Sequence, residues 1–189
     1  MKKWIFLLVG CSVVFPSLGK SYEANWDSLG NYEVPEWYQD AKFGIWPHWG
    51  VYSVPAFRGD HAAEWYGRWV HCIEKGETRL DKKGRVLSDY FEARGMKTKA
   101  FHEKTYGPIG EFGYHDLIPL WKAEKWNPDA WAQLAVDSGA KFFCMMGMHH
   151  DGFALYDSDL TRWDSVEMGP KRDLVGEMKT AARKKGLKF

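Results

Sequence analysis

The alternation of apolar and polar positions is most regular in the second half of the chain. Asn127 and Pro128 precede apolar residues at helical spacing that Gly139 ends, so a helix is predicted over residues 127–139. The next segment, residues 140–146, is apolar at nearly every position, which is typical of a parallel strand covered on both faces. The predicted apolar stripe of the helix comprises Ala130, Trp131, Leu134 and Ala135.

The same order of elements is repeated after a long polar connection. Asp173 is placed to begin a second helix, basic residues 183–185 lie near its C-terminus, and Gly186 ends it. Residues 187–189 then begin another strand. The apolar stripe of this helix comprises Leu174, Val175, Met178, Ala181 and Ala182.

The first half of the chain is less regular. Pro35 lies near the first turn of a short predicted helix, and residues 43–50 form the first strand candidate. Residues 67–112 are charged and rich in glycine and lysine, which indicates a long excursion from the scaffold. Within that excursion, helix is expected around residues 88–94.

The order of strands and helices predicts the fold class. Successive strand–helix units build parallel sheets, so the chain is predicted to be α/β. We interpret it as part of a (β/α)₈ TIM-like barrel, with only about the first three strands present in this chain. A doubly wound sheet also fits this order, but neither early strand is followed by the glycine-rich turn of a nucleotide site.

Histidines follow the first two strand candidates. His48 lies between tryptophans at the end of one, and His149, His150 and Asp151 follow the other. Because the carboxyl ends of parallel barrel strands share one face, these side chains are expected to share a pocket. Imidazole donors beside aromatic faces suit a sugar. Histidines that pack at the rim without a ligand are the alternative.

Glu64 and Trp65 lie in the loop after the first strand candidate, above the same edge. A carboxylate that accepts sugar hydroxyls and an indole that stacks on a pyranose ring would suit a carbohydrate site. A solvated Glu beside a core Trp is the alternative. A metal-dependent hydrolase that uses His48, His149 and Asp151 is a further hypothesis, although the usual His-x-His pair is absent.

Charge and composition exclude several classes of function. Lys and Arg number 26 against 25 Asp and Glu, so there is no basic surface for nucleic acid or an anionic membrane. Hydrophobic residues make up 45% of the chain, which is enough for a sizeable core. Cys144 lies inside an apolar run and is predicted to be a small core residue, so no disulfide framework is expected.

The N-terminus has the order of a secretory signal peptide over residues 1–19. Two lysines precede an apolar run, and small residues follow it at positions 17–19. The run is too short to span a bilayer as an integral helix. Residues 20–189 are therefore expected to form the mature chain, secreted or periplasmic. Lipid anchoring at Cys11 is less favoured, because few apolar residues precede it.

An ordered set of motifs resembles the N-terminal part of the catalytic domain of the family 29 α-L-fucosidases. The resemblance implies an imperfect (β/α)₈ barrel that hydrolyses terminal α-L-fucosyl linkages with retention, without metal or other cofactor. The implied partner is a fucosylated oligosaccharide or glycoconjugate. The motifs are residues 43–55, 64–66, 126–135, 138–142, 149–154, 157–158 and 170–175.

The same resemblance implies which side chains contact the sugar. In this sequence, the family's first-strand histidine corresponds to His48. The Glu-Trp pair of the next loop corresponds to Glu64 and Trp65, and the paired histidines correspond to His149 and His150. The nucleophilic Asp and the acid/base Glu of the family are expected beyond Phe189, so no catalytic residue is assigned here and the chain is expected to be a truncated piece. A catalytically inactive fucose-binding protein would share all of these features and stays an alternative.

Overall fold

The computed structural model describes residues 21–57, 63–71, 83 and 88–189, with the backbone alone over 88–94. Described residues up to Gln39 form one unit, and residues from Asp40 onward form a second. The predicted signal peptide, with Cys11, lies outside the described residues.

Two short helices lie near the start of the described chain. Helix α1, Trp26–Leu29, is capped by Asn25, whose side-chain oxygen accepts a hydrogen bond from the Ser28 amide at 2.8 Å. Helix α2, Glu36–Ala41, follows Pro35, so the predicted short helix is confirmed.

Parallel pairing joins the segments that were predicted as strands. Strand β1, Gly44–Ile45, pairs in parallel with β2, Phe142–Phe143, and Gly44 lies opposite Phe142. A parallel bridge also joins Phe142 to Lys188, in the segment that was predicted to begin the third strand. The α/β class is therefore confirmed for this chain, whereas these few strands do not by themselves show a barrel.

The strands are shorter than predicted. β1 ends before Pro47, which has no N–H to donate to a ladder of hydrogen bonds. The prediction that Cys144 is a core residue was wrong, because its side chain is exposed while that of Phe143 is buried. Successive side chains of a strand point to opposite faces, so only one face of β2 is covered by the described residues.

Helices α5, Pro128–Asp137, and α6, Leu174–Lys184, form where they were predicted. Asn127 accepts a hydrogen bond from the Ala130 amide at 3.0 Å, and Asp173 accepts one from the Gly176 amide at 2.8 Å. These caps satisfy amide groups that the first turn of a helix leaves without partners.

The buried face of α5 differs from its predicted stripe. Ala132 and Ala135 are buried, whereas Leu134 is 68% exposed. α5 packs against α6, and Ala132 and Ala135 belong to the same hydrophobic core as the buried residues of α6. The stripe predicted for α6 is confirmed at its buried positions, Leu174, Met178, Ala181 and Ala182.

The predicted excursion contains two helices that pack together, α3 at Tyr66–His71 and α4 at Ser88–Tyr106. Helix is therefore confirmed at residues 88–94 and continues well beyond them. Short 3₁₀ helices lie at Val51–Ser53, Ala63–Trp65 and Tyr114–Leu120. Among the described residues, no helix has the length and apolar composition needed to cross a membrane.

A polar contact fixes α4 against α3. His102 is fully buried, with Nδ1 2.8 Å from the hydroxyl of Tyr66 and Nε2 2.8 Å from the carbonyl oxygen of Phe112. Since a carbonyl oxygen only accepts, Nε2 carries the proton and donates to it, and Nδ1 accepts from the tyrosine hydroxyl. This pair holds the start of α3, which directly follows Glu64 and Trp65.

Candidate functional site

The candidate site lies where the chain leaves the two parallel strands. The rings of His48, after β1, and His149, after β2, meet edge to face with their centroids 5.4 Å apart. The ring of Trp46 stacks on that of His48, with the centroids 5.9 Å apart. The ring centroids of His149 and His150 are 4.7 Å apart. The strand ends therefore bring these histidines together, as the parallel arrangement predicted.

Glu64 reaches the same cluster from the short 3₁₀ helix before α3. His48, Glu64 and His149 each offer one nitrogen or oxygen atom that could bind a metal ion. These three atoms lie within 4.8 Å of one another. His48 is exposed, and the other two are half-buried. Asp151 does not belong to this group, so the ligand set proposed for a metal-dependent hydrolase was wrong in that residue.

A cleft of about 480 Å³ adjoins the cluster. Trp65 forms part of its wall, with its ring 4.6 Å from that of His150 and with the guanidinium of Arg68 over it at 5.5 Å. The ring of Trp69 also stacks on this indole, with the ring centroids 6.0 Å apart. The cleft is lined by Glu64, Trp65, Gly67, Arg68, His71, Tyr114, His150 and Asp151.

Asp151 holds the turn that carries the paired histidines. Its Oδ2 accepts a hydrogen bond from the hydroxyl of Tyr114 at 2.7 Å, and its Oδ1 accepts one from the Phe153 amide at 3.1 Å. The turn closes where the Gly152 amide donates to the His149 carbonyl at 3.1 Å, and Gly152 has φ of 72°, a conformation that favours glycine. Asp151 is therefore a structural member of the site.

Burial and neighbouring charge set the protonation of the site. Burial lowers the pKa of His149, and the nearby His150 and His48 lower it further, while Asp151 and Glu64 act in the opposite direction. A neutral His149 offers one donor and one acceptor.

Tyr52 lies beneath the cluster, with its ring centroid 5.8 Å from that of His149. Burial raises the pKa of Tyr52, and so do the carboxylates of Asp151 and Glu64, so its hydroxyl keeps its proton. Within the described part of the chain, the Tyr52 hydroxyl and Nδ1 of His149 are buried without a hydrogen-bond partner. Buried polar groups without a partner are uncommon in native proteins, and a bound molecule is one kind of partner that can satisfy them.

All five residues that were predicted to form the site therefore converge, and the structure adds three that were not predicted: Tyr52, Arg68 and Tyr114. The sequence signal for Tyr52 is weak, and consists only of its position in the same motif as His48, residues 43–55. Tyr114 has none, since it contacts Asp151 from 37 positions away.

The family model described as alpha-L-fucosidase matches residues 13–189 of the chain. The chain belongs to the α-L-fucosidase family. It is 36% identical to the tissue α-L-fucosidase of Bos taurus over 169 residues, a match that covers 89% of this chain and 31% of that protein. It is 37% identical to the α-L-fucosidase of Branchiostoma floridae, over 94% of this chain and 34% of that one.

Solved structures of α-fucosidases superpose on most of this chain. The Thermotoga maritima α-fucosidase in complex with fucose superposes with a TM-score of 0.72 and 38% identity, over 89% of this chain and 36% of that one. The same enzyme in complex with a mechanism-based inhibitor gives the same values. The chain spans about a third of the length of the curated relatives it matches.

Proposed function

We propose that the protein carrying this chain is an exo-acting α-L-fucosidase that hydrolyses terminal α-L-fucosyl linkages with retention. The observation that carries the proposal is the convergence of His48, Glu64 and His149, whose ligand atoms gather within 4.8 Å at the ends of two parallel strands. The chain belongs to the α-L-fucosidase family. The cleft of about 480 Å³ beside the cluster is of a size to bind a sugar.

The cluster has the chemistry that a deoxyhexose needs. Adjacent sugar hydroxyls each donate and accept. The imidazoles of His48 and His149 offer ring nitrogens as hydrogen-bonding groups, and the carboxylate of Glu64 accepts. His150 adds a further polar group at the wall of the cleft. The indole of Trp65 offers an apolar face with a polar edge, which suits the face of a pyranose ring.

The catalytic carboxylates are proposed to lie elsewhere in the protein. Retention needs two carboxyl groups about 5 to 5.5 Å apart, one free to attack and one to transfer a proton. Of the carboxylates at the cleft, Asp151 has both oxygens in hydrogen bonds, and Glu64 belongs to the histidine cluster. The family resemblance supports an Asp nucleophile and a Glu acid/base beyond Phe189, on later strands of a complete (β/α)₈ barrel.

The substrate is proposed to be a fucosylated oligosaccharide or glycoconjugate, in keeping with the fucose bound to the Thermotoga maritima relative. Residues 1–19 are proposed to direct export to the periplasm or the medium. The intact mass of the protein recovered from that compartment should lack them, and a mass that retains them would contradict export by cleavage.

Hydrolysis of an aryl α-L-fucoside, followed by proton NMR, tests the proposed reaction. Release of the aryl group with α-L-fucose as the first product is expected. β-L-Fucose as the first product would contradict retention. Binding of L-fucose without any hydrolysis would instead identify a catalytically inactive fucose-binding protein.

A further inference from the structure

The cluster of His48, Glu64 and His149 also has the composition of a transition-metal site. Two imidazoles and one carboxylate form a donor set that zinc accepts, with the fourth position open to water. The three side chains come from three separate segments, after β1, before α3 and after β2, so their convergence is a property of the tertiary fold.

The distances suit one small ion. Zinc binds imidazole nitrogen at about 2.0 to 2.1 Å and carboxylate oxygen at about 2.0 to 2.2 Å, so the ligand atoms of a tetrahedral site are about 3.3 Å apart. The present atoms lie within 4.8 Å of one another. Because His48 is exposed and Glu64 and His149 are half-buried, small rotations of the side chains can close the difference, and an ion can enter from solvent.

We propose that this cluster binds a single Zn²⁺ ion and that the bound ion excludes the sugar. The inhibition rests on the proposed function, because the ion and the fucose hydroxyls would bind the same nitrogen and oxygen atoms of His48, Glu64 and His149. The ion is thus an inhibitor and takes no part in the reaction. Mg²⁺ and Ca²⁺ prefer oxygen ligands and are expected to leave the site empty.

Titration calorimetry of the full-length protein with zinc chloride tests the proposal. One ion per chain is expected, and Glu64→Gln or His48→Gln should weaken its binding at least about tenfold. His115→Gln is the matched control, since His115 is 67% exposed and pairs with Asp116 outside the cluster. Equal affinity in the wild type and in Glu64→Gln would overturn the site.

X-ray absorption of the zinc-loaded wild type gives an answer that does not depend on how the variants fold. A first shell of nitrogen and oxygen at about 2.0 to 2.1 Å is expected, whereas a sulfur shell at about 2.3 Å would assign the ion to cysteine and overturn the proposal. L-Fucose should displace the ion. Zinc that binds through the cluster in a protein without fucosidase activity would uphold the metal site and contradict the proposed function alone.

Discussion

The hydroxyl of Tyr114 donates a hydrogen bond of 2.7 Å to Oδ2 of Asp151, and so joins a short 3₁₀ helix to the turn that follows β2. Burial raises the pKa of Tyr114, and the carboxylate of Asp151 raises it further, so the phenol stays a donor at neutral pH. The contact positions His149 and His150, because both directly precede Asp151 in the turn.

Tyr114→Phe removes that donor while it keeps the ring. Because Oδ2 of Asp151 loses its protein partner, we expect the free energy of unfolding to fall by about 1 to 3 kcal/mol. Sugar affinity should fall as well, since the turn is no longer held. Urea unfolding measures the first effect. Tyr156→Phe is the control, as that side chain is exposed, and equal losses in the two variants would contradict this role of Tyr114.

The pair of Tyr66 and His102 should be coupled in stability. Each is buried, and each satisfies a polar atom of the other, so Tyr66→Phe and His102→Leu are both expected to destabilise by about 1 to 3 kcal/mol. The double variant should lose less than the sum of the single losses. A double-mutant cycle by thermal or urea unfolding measures the coupling, and strictly additive losses would show that the contact carries no interaction energy.

His149→Ala and Trp65→Ala should lower kcat/KM for an aryl α-L-fucoside by about ten- to hundredfold, the effect of losing about 1 to 3 kcal/mol of sugar contact. Thermal stability should change far less, because neither side chain is fully buried. Matched controls are His115→Ala and Trp26→Ala, which remove exposed rings outside the cluster. A parallel loss of folded protein would show the two residues to be structural.

The pKa of His149 gives a pH dependence with a definite sign. It lies below the ordinary value of 6.5 in the folded protein, so the unfolded chain binds the extra proton first as pH falls. The free energy of unfolding should therefore decrease between pH 6.5 and the lowered pKa, and level off below it. Glu64→Gln removes a carboxylate that raises this pKa, and should lower it further. NMR titration of the His149 ring measures both values, and a higher pKa in the variant would contradict the assignment.

The parts of the fold that depend on local chemistry could be predicted from sequence. Asn127 and Asp173 begin their helices as caps, because a short polar side chain before an apolar stripe satisfies free amides wherever it occurs. The convergence of His48 and His149 followed from one rule, since parallel strands place their carboxyl ends at the same edge.

Features that depend on distant neighbours could not be predicted. Leu134 has the spacing of a core residue but is exposed, whereas the smaller Ala132 and Ala135 of α5 are buried in the core. His102 is buried by partners that lie 36 and 10 positions away, which no periodicity reveals. Asp151 looked like a metal ligand in sequence, yet its oxygens are used by a tyrosine and by a local amide.

A crystal structure of the protein with L-fucose bound tests the central claim most directly. The account predicts a sugar whose hydroxyls lie within hydrogen-bond distance of His48, Glu64 and His149, with His150 and Trp65 against the ring. Fucose bound elsewhere, with these five side chains unchanged and in contact with solvent alone, would contradict it.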